Sequence, residues 1–277
     1  MEWLTASVRG LEVGYAEGGD PSGEPLVLLH GFTGSSAVWK RFEESFAAYR
    51  LIMPDLTGHG RTDSPDEPER FRMEEQVRDL DELLGRLGIG TFSLLGYSMG
   101  GRVAIGYAAE HPERVRRLIL ESTSPGLAAE QDRRNRRESD RKLAAFIRNE
   151  GIAAFTNHWE SIPLFSSQKS MPEARRRSVR EGRLRNRPEG LSGSLLGIGT
   201  GSQPSYWERL GELAMPVFLI TGSLDRKYNE IAERMVRLLP DGRHVDIKDA
   251  GHAVHVENPE RFATIVKEAM NNEGGRT

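Results

Sequence analysis

A serine framed by glycines, Gly96-Tyr97-Ser98-Met99-Gly100, carries the strongest chemical signal in the sequence. The apolar run Phe92-Ser93-Leu94-Leu95 stops just before it, and a helical pattern begins at Met99. A serine on so tight a strand-to-helix turn is a nucleophile elbow: small flanking residues let the turn close, and the hydroxyl stands clear of the sheet. The hydroxyl becomes reactive only when a neighbouring base takes its proton. Seven histidines are available. His252, in Ala250-Gly251-His252, comes late in the chain, after a strand expected over 243–247 and before the last helix. That is where the chain order serine, acid, histidine places the base. His244 and His255 are rivals, read as structural. For the carboxylate that orients the base, Asp225 follows the apolar run Val217-Phe218-Leu219-Ile220 and falls at the carboxyl edge of a parallel sheet, where α/β sites gather. Spacing alone leaves Asp246 and Asp249 open. Donors to a developing oxyanion are expected from the backbone N–H groups of Phe32, just after His30-Gly31, and Met99. His30 is read as a brace of its loop.

These residues need a scaffold, and the hydrophobic pattern predicts one. Leu26-Val27-Leu28-Leu29, Leu51-Ile52-Met53, the run before Ser98, Val115-Arg116-Arg117-Leu118-Ile119-Leu120 and the run before Asp225 read as buried strands. Helical patterns over 36–46, 73–87 and 99–110 lie between them, and another spans 259–270. Strand and helix in alternation predict an α/β fold: a mostly parallel sheet covered by helices on both faces. After Ser124-Pro125-Gly126 the rhythm breaks, and the chain is helical and basic to about residue 205. The expected organisation is a core of 1–125 and 206–277, with 126–205 inserted as a helical cap or lid. The polar tail from Asn271 to Thr277 is expected to fray.

Composition removes several function classes. The chain of 277 residues contains no cysteine, which excludes disulfides, thiolate metal sites and cysteine nucleophiles. The net charge of -3 offers no general attraction to nucleic acid. No apolar run approaches the ~20 residues of a membrane span, and the first residues lack a secretory pattern; a cytoplasmic protein is expected. P-loop, dinucleotide and H-E-x-x-H signatures are missing, so no metal is called for. Charge is uneven, however: residues 130–189 hold 15 Lys and Arg against 9 Asp and Glu. Such an island is either a solvated helical face or a surface for an anion.

The segments Leu28-Leu29-His30-Gly31-Phe32 and Asp55-Leu56-Thr57-Gly58-His59-Gly60, with the Ser98 elbow, resemble the α/β-hydrolase superfamily. Gly100-Gly101-Arg102, Ser124-Pro125-Gly126-Leu127, Trp159-Glu160 with Pro163-Leu164-Phe165, and Gly199-Thr200-Gly201-Ser202-Gln203-Pro204 resemble, within it, the MenH family of 2-succinyl-6-hydroxy-2,4-cyclohexadiene-1-carboxylate synthases. The likeness runs from about Pro25 to Phe262. It implies a cofactor-free lyase of menaquinone biosynthesis. Such an enzyme eliminates pyruvate from 2-succinyl-5-enolpyruvyl-6-hydroxy-3-cyclohexene-1-carboxylate, with the Ser98, Asp225 and His252 triad serving as general base. It also implies that Arg102 and Arg136 bind the carboxylates of this small anionic substrate, and that Tyr97 and Trp159 line its pocket. A further cap arginine, Arg183 or Arg185, is expected to join them. A serine esterase or carbon–carbon bond hydrolase is the alternative enzyme, and a ligand sensor on the same scaffold is the non-enzymatic one. Oligomeric state is left open.

Overall fold

The computed structural model describes residues 1–272. Eight strands, β1 (Glu2–Val8), β2 (Leu11–Gly19), β3 (Pro25–Leu29), β4 (Arg50–Pro54), β5 (Phe92–Tyr97), β6 (Val115–Glu121), β7 (Val217–Gly222) and β8 (Gly242–Ile247), make one sheet. Their order is β1-β2-β4-β3-β5-β6-β7-β8. β2 runs antiparallel to β1 and β4, and every other neighbouring pair is parallel. The central strands are apolar on both faces because helices cover both. On one face α1 (Met73–Arg86) and α2 (Met99–Glu110) bury Leu80, Leu84, Val103 and Tyr107; on the other α8 (Pro259–Met270) buries Phe262 and Val266. Burial of each such side chain stabilises the fold by about 1.5–3 kcal/mol.

Between β6 and β7 the described chain is helical: α3 (Glu130–Ser161), a 3-10 stretch Pro163–Ser170, α4 (Glu173–Leu184) and α5 (Pro188–Ile198). Gly151 breaks α3 with φ 78°. α6 (Arg226–Val236) and the single turn α7 (Val254–Glu257) follow β7 and β8.

Three features depart from the sequence expectation. The segment 36–46 is no α-helix but a 3-10 stretch, Ser36–Phe42, followed by turns. Threefold spacing sets Trp39 beside Phe42 with the rings tilted, and both rings pack with Phe262. The strands β1 and β2 and the helix α6 are additions. Of the tail expected to fray, residues 273–277 lie outside the described residues, whereas the N–H of Asn271 still bonds to the Lys267 carbonyl at 3.0 Å.

Candidate active site

Close backbone approach builds the elbow. A Cβ on Gly96 would lie 2.5 Å from the Gly100 carbonyl oxygen, and one on Gly100 would lie 2.3 Å from that of Leu29. Glycine at both positions lets α2 start against the ends of β3 and β5. Ser98 itself sits at φ 50°, ψ -104°, a conformation that costs a non-glycine residue about 1–3 kcal/mol. Three hydrogen bonds hold it there. Its N–H donates to the Glu121 carbonyl at 2.8 Å, and its own carbonyl accepts from the Arg102 N–H at 3.1 Å and the Thr123 hydroxyl at 2.7 Å.

Asp225 caps α6 just beyond β7, and His252 lies in the loop beyond β8. These loops touch, since a Cβ on Gly222 would lie 2.2 Å from the Ala250 carbonyl oxygen. The outcome is a linear array: Ser98 Oγ is 3.0 Å from His252 Nε2, and His252 Nδ1 is 2.7 Å from Asp225 Oδ2. His252 and Asp225 are both buried. Their rivals lie elsewhere: Asp246 and Asp249 are exposed, and His244 Nε2 meets the Thr221 hydroxyl at 2.7 Å. His255 faces Glu121. His30 accepts the Leu56 N–H at Nε2, 3.0 Å, and its Nδ1 lies 2.8 Å from the Gly31 carbonyl, so it ties two loops together.

The N–H of Met99 opens α2 and has no intrahelical acceptor. That of Phe32 makes no hydrogen bond among the described residues. The Phe32 loop is pressed onto the elbow, because a Cβ on Gly31 would lie 2.6 Å from the Tyr97 ring. The Phe32 ring meets Trp159 edge-on at 5.4 Å, Trp159 meets Phe165 at 5.8 Å, and Phe165 meets His252 at 6.1 Å. Tyr97 completes this aromatic enclosure 5.5 Å from the His252 ring. Burial, reinforced by the Glu121 charge, pushes the Tyr97 phenol well above its ordinary pKa. The indole N–H of Trp159 is buried and without a partner among the described residues.

Two cations enter beside the array. Arg102 projects from the first turn of α2, and its guanidinium donates to the Ile198 carbonyl and the Gln203 side-chain oxygen. It has no carboxylate partner within ion-pair distance among the described residues, and burial pushes its pKa down to about 10, with Arg136 adding repulsion. Arg136 reaches the same place from α3, held by Asp140 at 2.8 Å. Asp140 is buried, its second oxygen has no partner among the described residues, and burial raises its pKa. The neighbours of Arg136 turn away: Arg133 and Arg137 pair with Glu130. Arg183 is buried over the Phe165 ring, 4.8 Å from its centre, and bonds Gln168 at 3.2 Å; Arg185 is exposed.

The sequence reading missed Tyr228. Its ring lies 4.6 Å from that of His252. Burial raises its phenol pKa while the nearby Arg102 opposes the shift, and its hydroxyl makes no hydrogen bond to a described residue. Its place in the first turn after Asp225 was the available signal. No cluster of three or more candidate metal ligands occurs among the described residues, and no described helix is long and apolar enough to cross a membrane.

Residues 24–259 match the alpha/beta hydrolase fold family. The chain is 46% identical over 263 residues to a Bacillus subtilis protein named "Putative 2-succinyl-6-hydroxy-2,4-cyclohexadiene-1-carboxylate synthase", covering 95% of this chain and 96% of that one. It is 33% identical to the synthase of that name from Salmonella paratyphi C, covering 87% and 91%. Among solved structures, MenH from S. aureus superposes with a TM-score of 0.88 at 35% identity, over 94% of this chain and 99% of that one. With the fold, the elbow and these likenesses together, the chain belongs to the 2-succinyl-6-hydroxy-2,4-cyclohexadiene-1-carboxylate synthase (MenH) family of α/β hydrolases.

Proposed function

We propose that this chain is a cytoplasmic, cofactor-free lyase of menaquinone biosynthesis that eliminates pyruvate from 2-succinyl-5-enolpyruvyl-6-hydroxy-3-cyclohexene-1-carboxylate. The observation that carries the reading is a hydrogen-bonded serine–histidine–aspartate array beside a half-buried arginine with no carboxylate partner among the described residues. An ester hydrolase needs the first and has no use for the second.

With its Nδ1 proton donated to Asp225, His252 presents a basic Nε2 to Ser98. The Ser98 proton passes to Nε2, and the alkoxide removes the ring hydrogen alpha to the succinyl carbonyl. The electron pair moves onto that carbonyl oxygen, where the N–H groups of Phe32 and Met99 stabilise the enolate. It then returns through the ring double bond and breaks the carbon–oxygen bond to the enolpyruvyl group. The imidazolium proton neutralises the departing enolate, which becomes pyruvate. Ser98 keeps the hydrogen taken from carbon, so the array ends as it began, without an acyl-enzyme.

Residues 126–205 act in this reading as a cap on the core formed by 1–125 and 206–277. Arg102 from the core and Arg136 from the cap hold substrate carboxylates, since guanidinium groups pair with them bidentately. Arg183, buried beside the aromatic wall, is the third clamp in preference to the exposed Arg185. Tyr97 and Trp159 enclose the ring.

Two assays test the reading side by side: pyruvate release followed with lactate dehydrogenase and NADH, and hydrolysis of a chromogenic ester. Pyruvate should appear stoichiometrically with product, with only slow ester turnover. Rapid ester hydrolysis without pyruvate would overturn it.

A further inference from the structure

One buried ionisable pair has no part in the chemistry above. Glu121, the last residue of β6, is wholly shielded from solvent at 0% exposure. Its carboxylate accepts the backbone N–H of His255 at 2.9 Å, and both its oxygens lie 2.9 Å from His255 Nδ1. Its backbone carbonyl accepts the N–H of Ser98. A single residue thus grips the chain on both sides of the array, the nucleophile through its main chain and the histidine loop through its side chain. His255 is three residues beyond His252, and its ring meets Tyr97 edge-on at 4.5 Å. Tyr97 pairs with Glu121 in the sheet register.

Packing alone gives no reason for this pair. A desolvated carboxylate is unfavourable unless its lone pairs are occupied, and an apolar pair of the same volume would often be as stable or more so. What a directional pair adds is geometry. We propose that Glu121 and His255 are positioning residues that set the separation of His252 from Ser98. The inference rests on the proton-relay reading of the array.

The test uses Glu121→Asp, which keeps the charge but withdraws it by one methylene, His255→Leu, which removes the donor, and His255→Asn, whose amide nitrogen stands where Nδ1 stood. Each variant is assayed for pyruvate release and titrated with a fluorescent phosphonate that reacts with relay-activated serine. The amplitude of labelling counts intact sites, and its rate reports the relay. Glu121→Asp and His255→Leu should lower both kcat and the labelling rate on the order of 10- to 100-fold, at undiminished amplitude and with KM within about twofold. His255→Asn should restore most of the rate, and the downfield N–H proton resonance of His252 should move in the impaired variants only. Unchanged labelling rates, or a kcat that falls only in step with amplitude, would overturn the proposal. Should His255→Leu fail to fold, Glu121→Asp against His255→Asn decides the matter. Wild-type protein that does not label would refute the relay itself, and the brace with it.

Discussion

Replacing Arg102 with methionine should make this protein more stable and far less active. The guanidinium is half-buried with no carboxylate partner among the described residues, and desolvation holds its pKa at about 10. The depression corresponds to about 3 kcal/mol of native-state destabilisation, at about 1.4 kcal/mol per tenfold in acidity. Native and unfolded arginine are both charged below that pKa, so the whole penalty is present at neutral pH. It is relieved only as pH rises above about 10. Methionine refills most of the stem volume but leaves the Ile198 carbonyl and the Gln203 oxygen without their donor, which returns about 1–2 kcal/mol. The net gain is about 1–2 kcal/mol, a rise in Tm of roughly 2–6 °C for a domain of this size. Catalysis moves the other way, because truncating one partner of a buried charge pair costs about 2–5 kcal/mol; kcat/KM for the succinyl substrate should fall about 30-fold or more. Thermal melts and the pyruvate-coupled assay measure both quantities on one preparation. A kcat/KM within about threefold of wild type would refute the carboxylate clamp, and a lowered Tm would refute the account of Arg102 as an electrostatic liability.

Asp225→Asn should leave the fold intact and reduce kcat on the order of 10³–10⁴-fold, because the amide favours the wrong imidazole tautomer; single-turnover pyruvate release checks it. Tyr228→Phe removes a hydroxyl beside Arg102 and should raise KM about fivefold, the worth of about 1 kcal/mol, as steady-state kinetics would show. His59 is buried, and burial pushes its pKa down to about 3, with His30 adding repulsion. The unfolded imidazole takes up a proton below about pH 6.5 while the native one does not. Stability therefore falls as pH drops from there toward 3, by up to about 1.4 kcal/mol per pH unit from this residue. His59→Gln should flatten that slope by a similar amount in urea titrations at pH 6.5 and 5; an identical slope would show that His59 is not the proton acceptor.

Much of the parallel sheet is legible because its strands are buried on both faces. Leu26-Val27-Leu28-Leu29 and Val217-Phe218-Leu219-Ile220 are continuous apolar runs that no amphipathic helix would carry. β1 and β2 are not legible, since Glu2–Val8 mixes exposed and half-buried positions and Leu11–Gly19 ends in glycines. The elbow is readable from the G-x-S-x-G spacing together with the apolar run before it and the helical pattern after it. His252 and Asp225 were reachable through chain order, but their rivals were separated only by tertiary placement, with Asp246 and Asp249 pointing to solvent. Arg136 was singled out by the resemblance, with Arg133 and Arg137 crowding that alignment, and helical periodicity alone does not say which of the three turns inward. Only packing of α3 shows which one faces Arg102. Glu121 gave no signal: one acidic residue at a strand end looks like solvent-exposed punctuation until its neighbours close over it.

The helical insertion leaves from β6 and returns to β7, and these two strands are hydrogen-bonded neighbours. Its entry and exit therefore share a doorway, and the surrounding sheet does not register how long the detour between them is. Entropy of ring closure grows only with the logarithm of chain length, about 0.6 kcal/mol per doubling. A change in the length of such a segment therefore adds little closure penalty to the framework beneath. Insertions and deletions between β6 and β7 can accordingly accumulate while the strand ends that carry Ser98, Asp225 and His252 keep their spacing.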